Sequence, residues 1–118
     1  MGKGVRQTIL QVNARLGGLL AETRRALRGE AEFGAEEVRQ IRQPVEEMAA
    51  IVARAAELRR MQPELAGELD LYKTQLGEMQ TALGQIRAML LARQASLEAG
   101  RAQLSAVSHW INAFRQTR

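Results

Sequence analysis

The chain has 118 residues, of which 46% are hydrophobic, and this is enough apolar material for one folded domain with a core. Aromatic residues make up only 3% and cysteine is absent, so the core must be aliphatic, and disulfides, thiolate zinc sites and a cysteine nucleophile are excluded. The net charge is +4 at pH 7, with basic residues concentrated towards both ends of the sequence and acidic residues between about 29 and 47.

The first predicted helix covers residues 4–28. Its apolar residues recur at spacings of three and four, as expected for one face of an α-helix. These residues are Val5, Ile9, Val12, Leu16 and Leu19, with Leu20 and Leu27 beside them. The stretch RGEAEFG follows, and its two glycines around an acidic segment predict a helix stop and a restart.

The second predicted helix covers residues 35–61 and opens with the sequence AEEVRQI. Its apolar stripe is Val38, Ile41, Val45, Met48, Val52 and Ala55, with Ile51 and Leu58 beside it. Pro44 lies inside the stripe and lacks the backbone N–H of a helical residue, so we expect a kink there or a fresh start at Gln43. Arg59 and Arg60 are typical of a helix C-terminus.

The third predicted helix covers residues 63–115, and Pro63 suits its first position. Two columns of residues repeat every seven positions. The first is Leu69, Leu76, Leu83, Leu90, Leu97, Leu104 and Ile111, and the second is Leu65, Tyr72, Met79, Ile86, Arg93, Gly100, Val107 and Phe114. This heptad spacing predicts packing against a partner helix, although the second column is interrupted at Arg93 and Gly100.

Together these segments predict an all-α fold that forms a single domain over residues 1–118, with one long C-terminal helix. That helix would be roughly 75–80 Å long, and the first two helices placed end to end would reach the same length. The fold is therefore either an elongated antiparallel helical hairpin or a three-helix coiled-coil bundle from which the end of the third helix projects. Whether the first two helices stack end to end is left open.

Catalytic chemistry is not indicated by any motif. His109 has no neighbouring histidine or cysteine to share a metal, and the adjacent pairs Glu36/Glu37 and Glu46/Glu47 point in different directions on a helix. We therefore predict no catalytic, cofactor-binding or metal-binding residues and a protein that is not an enzyme. Apolar runs are shorter than the ~18 residues of a membrane span, and interspersed acids among the arginines disfavour nucleic acid as a partner.

The stretch SAVSHWINAFRQTR holds the only tryptophan and the only histidine. Its apolar residues continue the heptad columns, so the apolar face widens and gains rings. One expectation is that these rings pack on the start of the first helix, near Val5 and Ile9. The other is that they form a face that binds a helix of another protein, where aromatic anchors are common.

The stretch LLAETRRALRGEAEFGAEEVRQI resembles the N-terminal pattern of FlgN-type flagellar export chaperones: leucines, a glutamate, a break after LRG, and a second helix of acids and aliphatics. The length, the order of three helices, and the last helix with LGQIRAMLLARQASLEAG are also similar. The resemblance implies a cytoplasmic, non-catalytic chaperone without a cofactor. Its client would be the C-terminal helical segment of hook-filament junction proteins, which it would keep from assembling and escort to the export apparatus.

In that family the partner-binding region lies in the C-terminal helix, which corresponds here to about residues 97–114. The candidate partner-binding residues are Leu97, Leu104, Val107, Trp110, Ile111 and Phe114. Two alternatives remain open. The first is a structural coiled-coil stalk or oligomeric spacer that self-associates through the leucine column, and the second is a basic helical protein that binds nucleic acid.

Overall fold

A computed structural model of the chain describes residues 2–116, and it describes the side chains of residues 4–113. Within this part of the chain the elements are helices and short connections, with no strand. The prediction of an all-α fold with one long C-terminal helix is confirmed. The chain divides after Ile86 into two compact units, which we call the N-terminal unit (residues 2–86) and the C-terminal unit (residues 87–116).

Helix α1 runs over Gly2–Leu27 and ends where the glycine of the sequence RGE predicts a stop. Gly29 has a positive φ of 78°, a conformation that glycine adopts without steric cost. The Gly29 N–H donates to the Ala26 carbonyl at 3.0 Å, and the Glu30 N–H donates to the Arg25 carbonyl at 2.9 Å. This pair of hydrogen bonds is the Schellman motif, which satisfies the last carbonyls of a helix and turns the chain.

The second predicted helix is two helices in the structure, α2 over Ala35–Ala53 and α3 over Ala55–Met61. The predicted fresh start of a helix at Gln43 was wrong, because α2 continues without a break through Pro44. The interruption of the helix falls instead at Arg54. Arg54 leaves the helical conformation with φ −109° and ψ 13°. Pro44 is fully buried, so its ring contributes to the core of the N-terminal unit.

A single 3₁₀ turn over Pro63–Leu65 leads into α4, which covers Ala66–Gln116 and contains 51 residues. Pro63 therefore begins a tighter turn instead of the first α-helical turn. An ion pair from Arg59 to Asp70, with a nitrogen–oxygen distance of 2.7 Å, spans this connection. It joins α3 to the start of α4, so these two helices run in opposite directions on either side of the turn.

In the N-terminal unit, α1 packs side by side with both α2 and the first part of α4. Arg15 of α1 reaches Glu47 of α2 at 3.3 Å, so α1 and α2 are antiparallel around their short connection. The Asn13 amide donates to the Glu68 carbonyl of α4 at 2.9 Å, and further along α1 the Arg24 guanidinium reaches Glu78 at 3.4 Å. The N-terminal unit is therefore a three-helix bundle, and α1 and α2 do not stack end to end.

The bundle encloses a core of aliphatic side chains from every helix, with one tyrosine. The core residues are Ile9, Val12, Leu16, Leu20, Ile41, Met48, Leu58, Leu65, Leu69, Tyr72, Met79 and Ala82. The stripe predicted for α2 was partly wrong, because Val38 and Val52 are nearly half exposed. The buried face of that segment is Ile41, Pro44, Met48 and Leu58, since the packing of α2 against α1 and α4 selects that side.

Candidate protein-binding surface

The heptad columns of α4 change their environment after Ile86. In the N-terminal unit Leu65, Tyr72, Met79 and Ile86 of the second column are all buried, and Leu69 of the first column is buried beside them. In the C-terminal unit the exposed fractions are 43% for Leu90, 66% for Leu97 and 70% for Leu104. We call the C-terminal continuation the exposed stripe, which consists of Leu90, Leu97, Leu104, Val107 and Ile111.

The predicted site residues lie together on this surface. Leu97, Leu104, Val107 and Ile111 belong to the exposed stripe, and Trp110, which is 69% exposed, lies one position before Ile111 at its edge. The side chain of Phe114 lies outside the described residues. The heptad spacing that singled out these positions thus places five of the six predicted residues along one side of one helix.

The alternative expectation, that the C-terminal rings pack on the start of α1 near Val5 and Ile9, concerns a contact between the two units and stays a prediction. Ile9 is fully buried in the core of the N-terminal unit, whereas Leu104, Trp110 and Ile111 retain large exposed surfaces. In the N-terminal unit α1 lies beside the first part of α4, and the buried stripe of α4 ends at Ile86, about 30 Å from the start of that helix at Ala66.

Two positions interrupt the apolar character of the exposed stripe. Arg93 stands in the second heptad column and its side chain is exposed. Gly100 stands one heptad later, and a Cβ atom added there would meet no other atom within 4 Å among the described residues. The stripe therefore carries a cation and, one heptad away, a gap in its apolar surface.

The arginines of the two units differ in their partners. Among residues 87–113, Arg87, Arg93 and Arg101 form no ion pair within the described part of the chain. The acid in this segment, Glu98, accepts a hydrogen bond from the Gln94 amide at 3.4 Å. In the N-terminal unit, by contrast, most arginines reach a carboxylate. The C-terminal unit therefore presents uncompensated positive charge beside an apolar stripe.

Residues outside the predicted set also contribute to this surface. Leu90 lies in the first heptad column and Leu91 follows it with 54% of its surface exposed. Arg87 and Arg101 lie four residues after Leu83 and Leu97, which places them beside the column on a helix. The heptad register could have identified these two leucines and two arginines. The prediction omitted them because it concentrated on the aromatic residues near the end of the chain.

A small cavity of about 130 Å³ lies between α1 and α2, near the loop that joins them. Its lining includes Phe33 and Ile41 together with three glutamates. Two of these glutamates are engaged within the chain, because Glu22 pairs with Arg25 at 3.1 Å and Glu37 accepts a hydrogen bond from the Gly34 N–H at 2.9 Å. The contact to Gly34 fixes the start of α2, so these carboxylates have a local structural role.

The described residues contain no group of three or more histidine, cysteine, aspartate or glutamate side chains arranged to hold a metal ion. None of the helices in that part of the chain has both the length and the apolar character needed to cross a bilayer. Comparison with protein-family models, with curated proteins and with solved structures finds no match for this chain.

Proposed function

We propose that the protein is a non-catalytic chaperone of the FlgN type, and that its C-terminal unit binds a helix of a client protein. The client of this proposal is the C-terminal helical segment of a hook-filament junction protein, and the site of action is the cytoplasm. The observation that carries the proposal is the exposed stripe, in which leucines continue a heptad column although nothing in the described chain buries them.

Energetics favour a helical partner for this surface. Fully burying a leucine or isoleucine side chain contributes about 1.5–3 kcal/mol relative to leaving it exposed. The stripe offers several such side chains that are only partly buried, and an amphipathic client helix would add a similar number of its own. Their sum is comparable to or larger than the roughly 4–15 kcal/mol that association costs, so a helix laid along the stripe can bind with a net gain.

Binding assays with purified proteins test this proposal. The client is the C-terminal helical segment of a hook-filament junction protein, and affinity is measured by calorimetry for the wild type and for the double variant Leu97→Asp/Leu104→Asp. We expect binding to the wild type and its loss in the double variant, because two charges would be buried in the contact. Leu71→Asp is the matched control, since Leu71 is an exposed leucine of α4 within the N-terminal unit.

Circular dichroism establishes that each variant keeps its helix content. Absence of binding to the wild type would reject the flagellar client. Equal binding by the wild type and the double variant would reject the exposed stripe as the binding surface.

A second candidate function, a structural coiled-coil spacer, is favoured by the strict repeat of Leu90, Leu97, Leu104 and Ile111. In this second function the stripe is buried against a second copy of the chain. Sedimentation equilibrium separates the two functions. A monomer at all concentrations supports client binding, whereas a stable dimer or tetramer supports the spacer.

A further inference from the structure

The arginines along the exposed stripe carry information about the partner. We infer that the helix that covers the stripe is acidic: it presents carboxylates to Arg87 and Arg101 and places one acid opposite Arg93. It also places a large apolar side chain over Gly100. This inference rests on the proposed function and deepens it, because it specifies the chemistry and register of the bound helix.

The N-terminal unit shows which charged residues lie at the edges of contacts between helices in this protein. Three ion pairs of this unit join an arginine on one helix to a carboxylate on another. The pairs are Arg15–Glu47 at 3.3 Å, Arg24–Glu78 at 3.4 Å and Arg59–Asp70 at 2.7 Å. At these three places an arginine that borders a contact between helices is paired with an acid of the facing helix.

The heptad register places Arg87 and Arg101 at comparable bordering positions. Each lies four residues after a member of the first column, which corresponds to the flanking position that forms salt bridges between helices of a coiled coil. Both side chains are exposed, and neither forms an ion pair within residues 4–113. By analogy with the N-terminal unit, the helix that covers the stripe carries acids at the facing positions.

Arg93 makes the register specific, because it stands in the second column itself. A helix that covered this position with an apolar side chain would take a guanidinium out of water without a partner, which is strongly unfavourable. A glutamate or aspartate at the facing position removes that penalty. Single polar residues at such core positions are known to select partner and register at some cost in affinity.

Gly100 lies one heptad after Arg93, and its missing side chain favours the same register of the bound helix. No described atom lies within 4 Å of the point where its Cβ would be. A large side chain of the bound helix can occupy this depression between Leu97 and Leu104. We therefore expect the partner helix to carry an acid and a large apolar residue seven positions apart. The acid comes first if the partner runs parallel to α4 and second if it runs antiparallel.

A second copy of this chain does not meet these requirements. In an antiparallel pair Arg87 and Arg101 would face the same column of the other copy, which holds Arg87, Gln94 and Arg101. In a parallel pair they would face Met89, Ser96, Gln103 and Trp110. Neither column contains an acid, and Glu98 lies next to Leu97 on the side away from the second column. The charge pattern therefore favours a different protein over self-association.

A displayed library of helices tests the inference with the full-length protein as bait. Each member has leucine at the heptad core positions, while the flanking positions and one core position are varied among glutamate, glutamine and lysine. Selection is performed on the wild type, on Leu97→Asp, on Arg93→Glu and on Arg39→Glu. Arg39→Glu is the matched control, because Arg39 is an exposed arginine on α2 that pairs only with Glu36 of the same helix.

We expect glutamate to be enriched at the flanking and core positions on the wild type and on Arg39→Glu. On Arg93→Glu the preferred core residue should change to lysine. For one purified helix with a core glutamate, Arg93→Glu should weaken binding on the order of tenfold, and exchange of that glutamate for lysine should restore it. A restored affinity of this kind would not result from a general loss of structure.

The other outcomes separate the inference from the proposed function. In one such outcome the wild type selects helices with no preference among glutamate, glutamine and lysine, while Leu97→Asp selects none. That result would overturn the acidic register and leave helix binding intact. Absence of enrichment on the wild type over Leu97→Asp would overturn both. Binding of duplex DNA or of phosphatidylserine vesicles that Arg93→Glu abolishes, with no selected helix, would assign the basic stripe to a phosphate-bearing ligand and overturn the inference.

Discussion

Residues 66–86 and residues 87–113 belong to the same long helix and carry the same two heptad columns, yet their side chains have opposite environments. Leu69 and Tyr72 are buried in the N-terminal unit, whereas Leu97 and Leu104 are about two thirds exposed. A heptad column indicates that a helix has an apolar side to cover. It does not indicate whether the same chain buries that side. The two parts of α4 show both cases, since the first part is buried by the chain and the second part is exposed.

The polar residues repeat the contrast. In the N-terminal unit, arginines such as Arg24 and Arg59 reach carboxylates on a facing helix, which completes the contact. In the C-terminal unit, Arg87, Arg93 and Arg101 reach no acid among the described residues. Apolar and charged groups therefore show the same contrast independently, and both agree with the proposed binding of a helix along the C-terminal unit.

The largest difference in the free energy of unfolding is expected when one leucine of each unit is replaced by alanine. Leu65→Ala removes a fully buried side chain and should lower the free energy of unfolding by about 2–5 kcal/mol, because a cavity remains in the bundle. Leu97→Ala, at a position that is 66% exposed, should change it by less than about 0.5 kcal/mol. Urea unfolding monitored by circular dichroism measures both, and similar losses in the two variants would break the comparison.

Two glycines of intermediate exposure, Gly17 and Gly100, provide the next comparison. Gly100→Ala should stabilise the helix by about 1 kcal/mol, since alanine favours helix and the new Cβ meets no neighbour. Gly17→Ala should gain less, because its Cβ would lie 2.9 Å from the Gln75 side-chain nitrogen, which must move. Hydrogen exchange of the surrounding amides measures the two changes. A larger gain at Gly17 would contradict the close approach of α1 to α4.

A smaller difference is expected for the charged groups. Asp70→Asn removes the ion pair with Arg59 at 2.7 Å and should cost about 0.2–1 kcal/mol, because the pair is solvent-exposed. Arg101→Gln in the free protein should be neutral, since no ion pair is lost. Urea titrations at low and high salt measure both variants, and the cost of Asp70→Asn should shrink as salt screens the pair. A clear loss for Arg101→Gln would reveal an acid partner within the chain.

The smallest effect concerns pH. A hydrogen bond from Arg28 and the charge of its guanidinium lower the pKa of Glu30 below its usual value. A carboxyl group whose pKa is lowered by folding adds stability above the unfolded pKa, and this contribution is lost as the pH falls through the folded pKa. Because Glu30 is exposed, the change should be visible in an NMR titration of the carboxyl carbon more clearly than in stability. Arg28→Gln should raise the midpoint, and an unchanged midpoint would contradict the contact.

The limits of prediction appear at particular residues. The end of α1 could be predicted, because Gly29 is suited to the positive φ that terminates a helix. The break at Arg54 could not, since arginine is a good helix former and the interruption depends on how α3 packs. Pro44 misdirected the prediction for a related reason: its buried place in the core was not visible from its local backbone preference.

The candidate surface shows the same division. Heptad spacing identified Leu97, Leu104, Val107 and Ile111 as one side of one helix, because the period of an α-helix determines which residues share a face. Their exposure, and the role of Arg87 and Arg101 at the border, became apparent only once the helices were placed. Side-chain burial depends on which helices lie alongside, and that is not contained in the period of one helix.

The amino-acid order alone determined that this protein is helical, where its long helix lies, and which residues form its apolar columns, since these follow from local backbone preferences and helical periodicity. Tertiary structure decided that α1 and α2 lie side by side along the first part of α4. The lengths of the segments are compatible with either arrangement, and only the packing of Ile41, Met48 and Leu58 against α1 and α4 selects the bundle. That choice leaves the second half of the leucine column exposed.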